Sequence, residues 1–162
     1  MTATLRPFLP ADAPVLAAIF RDSVEVLAQE DHSPAQIAAW IATADDENAF
    51  ARRLATNLTL IAAQGRTPVG FASLKGADVL DMLYVDPNAA RRGIGSQLVD
   101  ALERIAASRG AKKLTGDISD TALPLFEKRG YAQQRRNTVP LGDGWIGNTT
   151  MSKGLGKPEP QQ

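Results

Sequence analysis

The 162-residue chain contains no cysteine and a single histidine. The first absence excludes disulfides, thiolate metal sites and cysteine nucleophiles, and the second leaves too few imidazoles for a histidine-rich metal centre. Net charge is also absent, because 18 Lys and Arg offset 18 Asp and Glu. No global field draws nucleic acid or an anionic membrane, so an anion site has to be a local cluster. No apolar run approaches the roughly 20 residues that span a bilayer, and "MTATLRPFLP" has no signal-peptide core. These absences point to a cytoplasmic protein, without metal and without a nucleic-acid or membrane partner. Tyrosine is scarce too: Tyr84 and Tyr131 are the two phenols.

What is present is patterned as one domain, residues 1–153, long enough to bury a core. The remaining residues 154–162, "GLGKPEPQQ", have the composition of a flexible tail. "TATLRPF" reads as a first strand. One or two helices follow, with Val15, Leu16, Ile19 and Phe20 at helical spacing. Ser33, Pro34 and Gln36 form a capping-box signature, which predicts a helix starting at Ser33. "DENAFARRLA" suits further helical turns, and "NLTLIAAQGRTPVGFASLKGADVLDMLYVDP" reads as three consecutive strands broken at Gly65 and Gly76.

From Gly95, the apolar stripe Leu98, Ala101, Leu102, Ile105 and Ala106 predicts an amphipathic helix closed by Gly110. "KKLTGDIS" is then a strand and "DTALPLFEKRG" a short helix. "AQQRRNTVPL" and "NTTMSK" form a last hairpin around "GDGW". A helix joining neighbouring strands favours parallel pairing there, so the sheet is expected to be mixed.

The stretch "NAARRGIGS" sits between a strand and the amphipathic helix. A helix N-terminus leaves backbone N–H groups unpaired and carries partial positive charge, so an anion fits. Gly93 and Gly95 leave the amides approachable, Ser96 adds a hydroxyl, and Arg91 and Arg92 add charge. The string by itself serves equally as a turn with solvated arginines. A P-loop is excluded, since the loop ends Gly-Ser-Gln without the phosphate lysine. A dinucleotide fingerprint fits poorly, with Leu98 at its third glycine position.

"MLYVDPNAARRGIGSQLVDALE" resembles the cofactor motif of the GNAT superfamily of acyl-CoA-dependent N-acetyltransferases, and "DTALPLFEKRGY" resembles that family's second signature. "DHSPAQIAAW" and "FEKRGY" are similar to a small bacterial subgroup. The resemblance covers roughly residues 5–153. It implies an α/β (α+β) fold: a central mixed, mostly antiparallel sheet of six to seven strands with a splayed parallel pair, flanked by four to five helices. It also implies acetyl-CoA as co-substrate and an amine acceptor, unidentified, on a small molecule or peptide.

Carried over, the backbone of Leu83, Tyr84 and Val85 pairs with the pantetheine arm. The amides of Arg91, Arg92, Gly93, Ile94, Gly95 and Ser96 hold the pyrophosphate, and Ser119, Asp120, Leu123 and Phe126 border the pantetheine and adenine end. Ala90 stands where the family carries Arg or Gln, so Arg91 or Arg92 has to supply the charge.

Direct attack on a thioester requires a neutral amine, an oxyanion stabiliser and a fate for the leaving thiolate. Asp81 is the candidate base, on the strand where diamine-acetylating members carry a glutamate; the alternative is a strand-edge aspartate paired with an arginine. Phe126 occupies the usual proton-donor tyrosine position. That leaves Tyr84, Tyr131, Ser119 or water, or a thiolate that leaves unprotonated. His32 reads as an exposed flanking residue, with a substrate contact or base as the other reading. Trp40 reads as core, and Trp145 as exposed in the hairpin turn, a substrate rim or a homodimer contact. The rival readings are a non-catalytic acyl-CoA sensor and an interaction protein on the same scaffold.

Overall fold

A computed structural model of the chain describes residues 3–156. β1 (Thr4–Pro7) leads through a 3₁₀ turn into α1 (Ala13–Leu27), followed by α2 (Pro34–Ala42) and α3 (Glu47–Thr56). Strands β2 (Leu58–Gln64), β3 (Thr67–Lys75) and β4 (Val79–Val85) come next, then α4 (Ile94–Ser108), β5 (Lys113–Ser119) and α5 (Leu123–Lys128). The hairpin β6 (Ala132–Leu141) and β7 (Gly144–Gly154) closes the chain. The helix expected at Ser33 has its capping box: Ser33 Oγ accepts from the Gln36 N–H, and Gln36 Oε1 accepts from the Ser33 N–H. The last strand is longer than its sequence pattern suggests. It runs to Gly154, and the Leu155 N–H still bonds the Lys112 carbonyl, so the folded part ends beyond Lys153. The remainder of the expected tail, 157–162, lies outside the described residues.

All seven strands form one sheet in the order β1-β2-β3-β4-β5-β7-β6. Pairing is antiparallel except between β4 and β5, which run parallel because α4 carries the chain back across the sheet. The sheet has a core on each face. On one side Leu74, Leu80, Leu114 and Ile118 pack under Leu98, Leu102 and Ala106 of α4 and Phe126 of α5. On the other, Ile61, Phe71 and Met82 pack under Leu16, Phe20 and Val24 of α1 and Phe50 and Leu54 of α3. Each of these Leu, Ile, Val, Met and Phe side chains, buried, contributes about 1.5–3 kcal/mol.

Two irregularities shape the centre. β4 and β5 pair only through Val79↔Thr115 and Leu80↔Gly116, after which the strands part. On its other edge β4 carries a bulge: Leu74 pairs with Leu80 and Ser73 with Met82, so Asp81 is the extra residue. The bulge breaks the period-two alternation, sending Leu80 to the α4 face and Met82 to the α1–α3 face.

Candidate active site

The parting of β4 and β5 opens the sheet between its two cores. A cavity of about 560 Å³ lies on one side of the gap, walled by the end of α1 (Ser23, Val24, Leu27), by Leu83, Tyr84 and Val85, and by the start of α4. A second, of about 290 Å³, is lined by Phe20, Phe50, Arg53, Asp81, Met82 and Asp117 among others. Trp40, Leu83, Tyr84, Ser119 and Ala122 line both cavities, so the two meet at the exposed edge of β4.

The start of α4 is built to leave its amides open. Its N-cap, Gly93, has φ +82° and offers no capping side chain, and Arg91 is held at φ +66°. A left-handed Arg costs about 1–2 kcal/mol relative to the right-handed form, so the surrounding loop enforces this turn. The first residues of α4 line the larger cavity, and no side chain caps their N–H groups. Gly95 has a different reason to be glycine: a Cβ there would lie 3.3 Å from Leu125 Cδ2, so its absence lets α4 sit close to α5.

Of the residues expected around a cofactor, Leu83, Tyr84, Val85, Arg91, Gly93, Ile94, Gly95, Ser96, Ser119 and Asp120 all line the larger cavity. Arg92 does not, so of the two arginines expected to supply charge in place of Ala90, itself a lining residue, it is Arg91 that borders the cavity. Leu123 packs into the α4-side core, and Pro124 and Leu125 take the place expected of it. Phe126 is fully buried, lining the smaller cavity rather than the larger one. Asp120 is held by Arg136 from edge strand β6 through two bonds, 2.5 and 3.0 Å, which keep its carboxyl below the ordinary value.

Asp81 lies in the smaller cavity. Arg53 Nε and Asn57 Nδ2, both on or just beyond α3, donate to its Oδ2 at 2.8 Å each. Burial raises this carboxyl, but the hydrogen bond and charge of Arg53, the bond from Asn57 and the charge of Lys75 outweigh it and hold it below the usual aspartate value. The arginine pairing that the sequence left as the alternative is present, and the same aspartate lines the cavity.

Tyr84 stands in an aromatic cluster. It meets Phe20 edge-on at 4.7 Å between centroids, and its hydroxyl accepts from Trp40 Nε1 at 3.4 Å. Burial pushes its pKa up, against the smaller opposing effects of the Trp40 bond and Arg53. Ser119 Oγ accepts from the Ala122 N–H at 3.2 Å.

Three expectations are corrected. Tyr131 is remote from both cavities: it packs edge-on to Phe126 at 5.0 Å and donates to Glu103 at 2.8 Å, which together with burial raises its pKa strongly. His32 is not exposed. The turn after α1 folds it back, its N–H on the Ala28 carbonyl, and its ring is buried edge-on against Trp40 at 5.2 Å. Trp40 is half-buried at the junction of the cavities rather than in the core. Trp145 is exposed as expected, at 60 %. Arg53, Asn57 and Asp117 escaped sequence reasoning. Arg53 belongs to "DENAFARRLA", whose pattern marks a charged helix face and nothing more.

A parallel pair that parts beside an uncapped helix start is the arrangement expected of the acetyltransferase class. A family model, the acetyltransferase (GNAT) domain, matches residues 28–155, and the chain belongs to that family. It is 35 % identical over 147 residues to the uncharacterized N-acetyltransferase YafP of Escherichia coli (strain K12), covering 91 % of this chain and 93 % of that protein. The GCN5-related N-acetyltransferase of Rhodopseudomonas palustris superposes with a TM-score of 0.93 at 53 % identity, over 95 % of this chain and 96 % of that one. The PaiA N-acetyltransferase of Thermoplasma acidophilum, solved in complex with coenzyme A, shares the fold at 19 % identity, with a TM-score of 0.78 over 95 % and 99 % of the two chains.

Proposed function

We propose that the chain moves an acetyl group from acetyl-CoA to a primary amine of a small molecule or peptide, by direct attack in a ternary complex. The observation that carries this is the meeting of two cavities at the exposed edge of β4. One has an anion-binding helix start and an unpaired strand edge, the other a carboxylate. The residues present fit coenzyme A: α4 offers uncapped amides and Arg91 to a pyrophosphate, and β4 beyond Leu80 offers backbone groups to the amides of a pantetheine arm. PaiA holds coenzyme A on the same fold.

Acetyl-CoA supplies the thioester whose carbonyl the amine attacks and whose C–S bond then breaks. The chain's part is positional and electrostatic. Holding the two reactants together converts a bimolecular step into an effectively unimolecular one. A backbone N–H of Leu83 or Tyr84, freed where β5 departs, stabilises the charge developing on the carbonyl oxygen. An amine with pKa of about 10 is neutral in roughly one molecule per thousand at pH 7. Asp81 draws in the ammonium through a hydrogen bond, the ammonium gives up one proton to hydroxide or another solvent base, and the neutral amine is left beside the thioester. Direct transfer to a carboxyl held below the usual aspartate value would run strongly uphill. Tyr84, whose raised pKa keeps it protonated, is the phenol at the junction, which Ser119 also lines, and is able to serve the leaving thiolate in place of Phe126.

Phe126 also favours a second reading, a binding-only acyl-CoA sensor. Calorimetry with CoA and turnover of acetyl-CoA against an amine panel separate the two. Binding with turnover supports the transferase, binding without turnover on any amine supports the sensor, and no CoA affinity overturns both.

A further inference from the structure

We infer that Arg53 and Asn57 form a two-donor clamp on one oxygen of Asp81 that aims the other at the arriving amine, which makes them positioning residues of the transfer. The inference rests on Asp81 acting as proposed above.

The geometry is specific. Both donors reach the same oxygen, Oδ2, at 2.8 Å, and no hydrogen bond among the described residues ends on Oδ1. Arg53 Nη2 also reaches the Asp81 carbonyl at 3.4 Å, so the clamp grips backbone as well as side chain. It grips the one residue of β4 that the bulge leaves without a partner on β3. An unpaired bulge residue is free to swing unless something outside the ladder fixes it.

The two donors are themselves fixed. They stand four apart at the end of α3, hence on one face, and the Asn57 N–H bonds the Arg53 carbonyl at 3.1 Å. That end of α3 is anchored beneath by Leu54, fully buried in the α1–α3 core. The other groups bearing on Asp81 are Lys75 from β3 and Tyr84 from its own strand, and Asp117 of β5 lines the same cavity. None of these three is within hydrogen-bond distance of the carboxylate, so aim is set from α3 alone.

The test compares Arg53→Gln, Arg53→Lys, Asn57→Leu and Asp81→Asn, using acetyl-CoA and the best amine from the panel. Arg53→Gln and Asn57→Leu should each raise the amine KM or lower kcat about tenfold while leaving the acetyl-CoA KM and the melting temperature near wild type. Arg53→Lys should recover part of the loss, since it restores charge without the planar fork. The ¹³C resonance of the Asp81 carboxyl should titrate at higher pH in Arg53→Gln. Wild-type amine kinetics in both clamp variants, with Asp81→Asn still impaired, overturn the clamp alone. Wild-type kinetics in Asp81→Asn overturn the role of Asp81 and the clamp with it.

Discussion

A phenyl ring cannot donate a proton, so Phe126 shifts the fate of the leaving thiolate onto other groups. Tyr84 is the phenol at the junction; Tyr131 lines neither cavity and is spent on Glu103. Tyr84→Phe should lower kcat about tenfold with little change in the acetyl-CoA KM, read by steady-state kinetics. A thiol has a pKa of about 8.5, so an unchanged kcat would mean the thiolate leaves without help from the protein. Asp81→Asn keeps the shape and the Arg53 and Asn57 contacts but removes the charge. Its kcat at pH 7 should fall on the order of a hundredfold and recover in part toward pH 10, where the free amine no longer needs an acceptor. A profile parallel to wild type would remove Asp81 from the mechanism. The place of Asp81, on the strand before the glycine loop, was legible in sequence. The donors that hold it were not, because a helix–strand contact 24 and 28 residues apart leaves no local pattern.

At the scale of elements, α4 and α2 carry the clearest expectations. Gly93 ends the cofactor loop at φ +82°, and a Cβ there meets nothing within 4 Å. Gly93→Val is therefore not a packing problem. It strains a left-handed position by about 1–2 kcal/mol and puts methyl groups beside the open amides. CoA affinity by calorimetry should fall at least about tenfold in a protein that stays folded, and unaltered affinity would refute the cradle.

For α2, Ser33→Ala removes one half of the capping box and should cost about 1 kcal/mol in denaturant unfolding. The same Gln36 that completes the box donates through Nε2 to the Trp145 carbonyl at 2.8 Å, tying α2 and its Trp40 to the closing hairpin. Helix starts, strand runs and glycine stops were readable here because capping and periodicity are local. The bulge at Asp81 was not, since it is defined by register against β3.

For the whole molecule, three aspartates hold folded-state pKa values below the ordinary one. Asp12 is paired with Arg6, Asp81 with Arg53 and Asp120 with Arg136. A depressed folded pKa means that the unfolded chain binds protons first as pH falls. The stabilisation is fully present above the ordinary aspartate pKa of about 3.9 and is lost as pH drops through the folded values. The arginine partners are half-exposed, so each pair contributes at most about 1 kcal/mol. Unfolding midpoints should thus be level from pH 7 to about 5 and fall below about 4, with a shallower fall at 1 M salt. A midpoint that does not move at acid pH would show that these pairs add nothing to the fold.

By itself the sequence determined the order of elements, the mixed sheet, the glycine loop at the head of an amphipathic helix and, through its two signatures, the GNAT family. Those features are written in runs of neighbouring residues, where period, caps and turn chemistry act within a few positions. Only the tertiary structure decided that β4 and β5 part after two residue pairs, that two cavities meet at Tyr84, that His32 is buried and Tyr131 remote, and that Arg53 and Asn57 hold Asp81. The reason is physical. A site between two halves of a sheet is assembled by strand register and helix docking, and these are set by the packing of both cores at once rather than by any single stretch of chain.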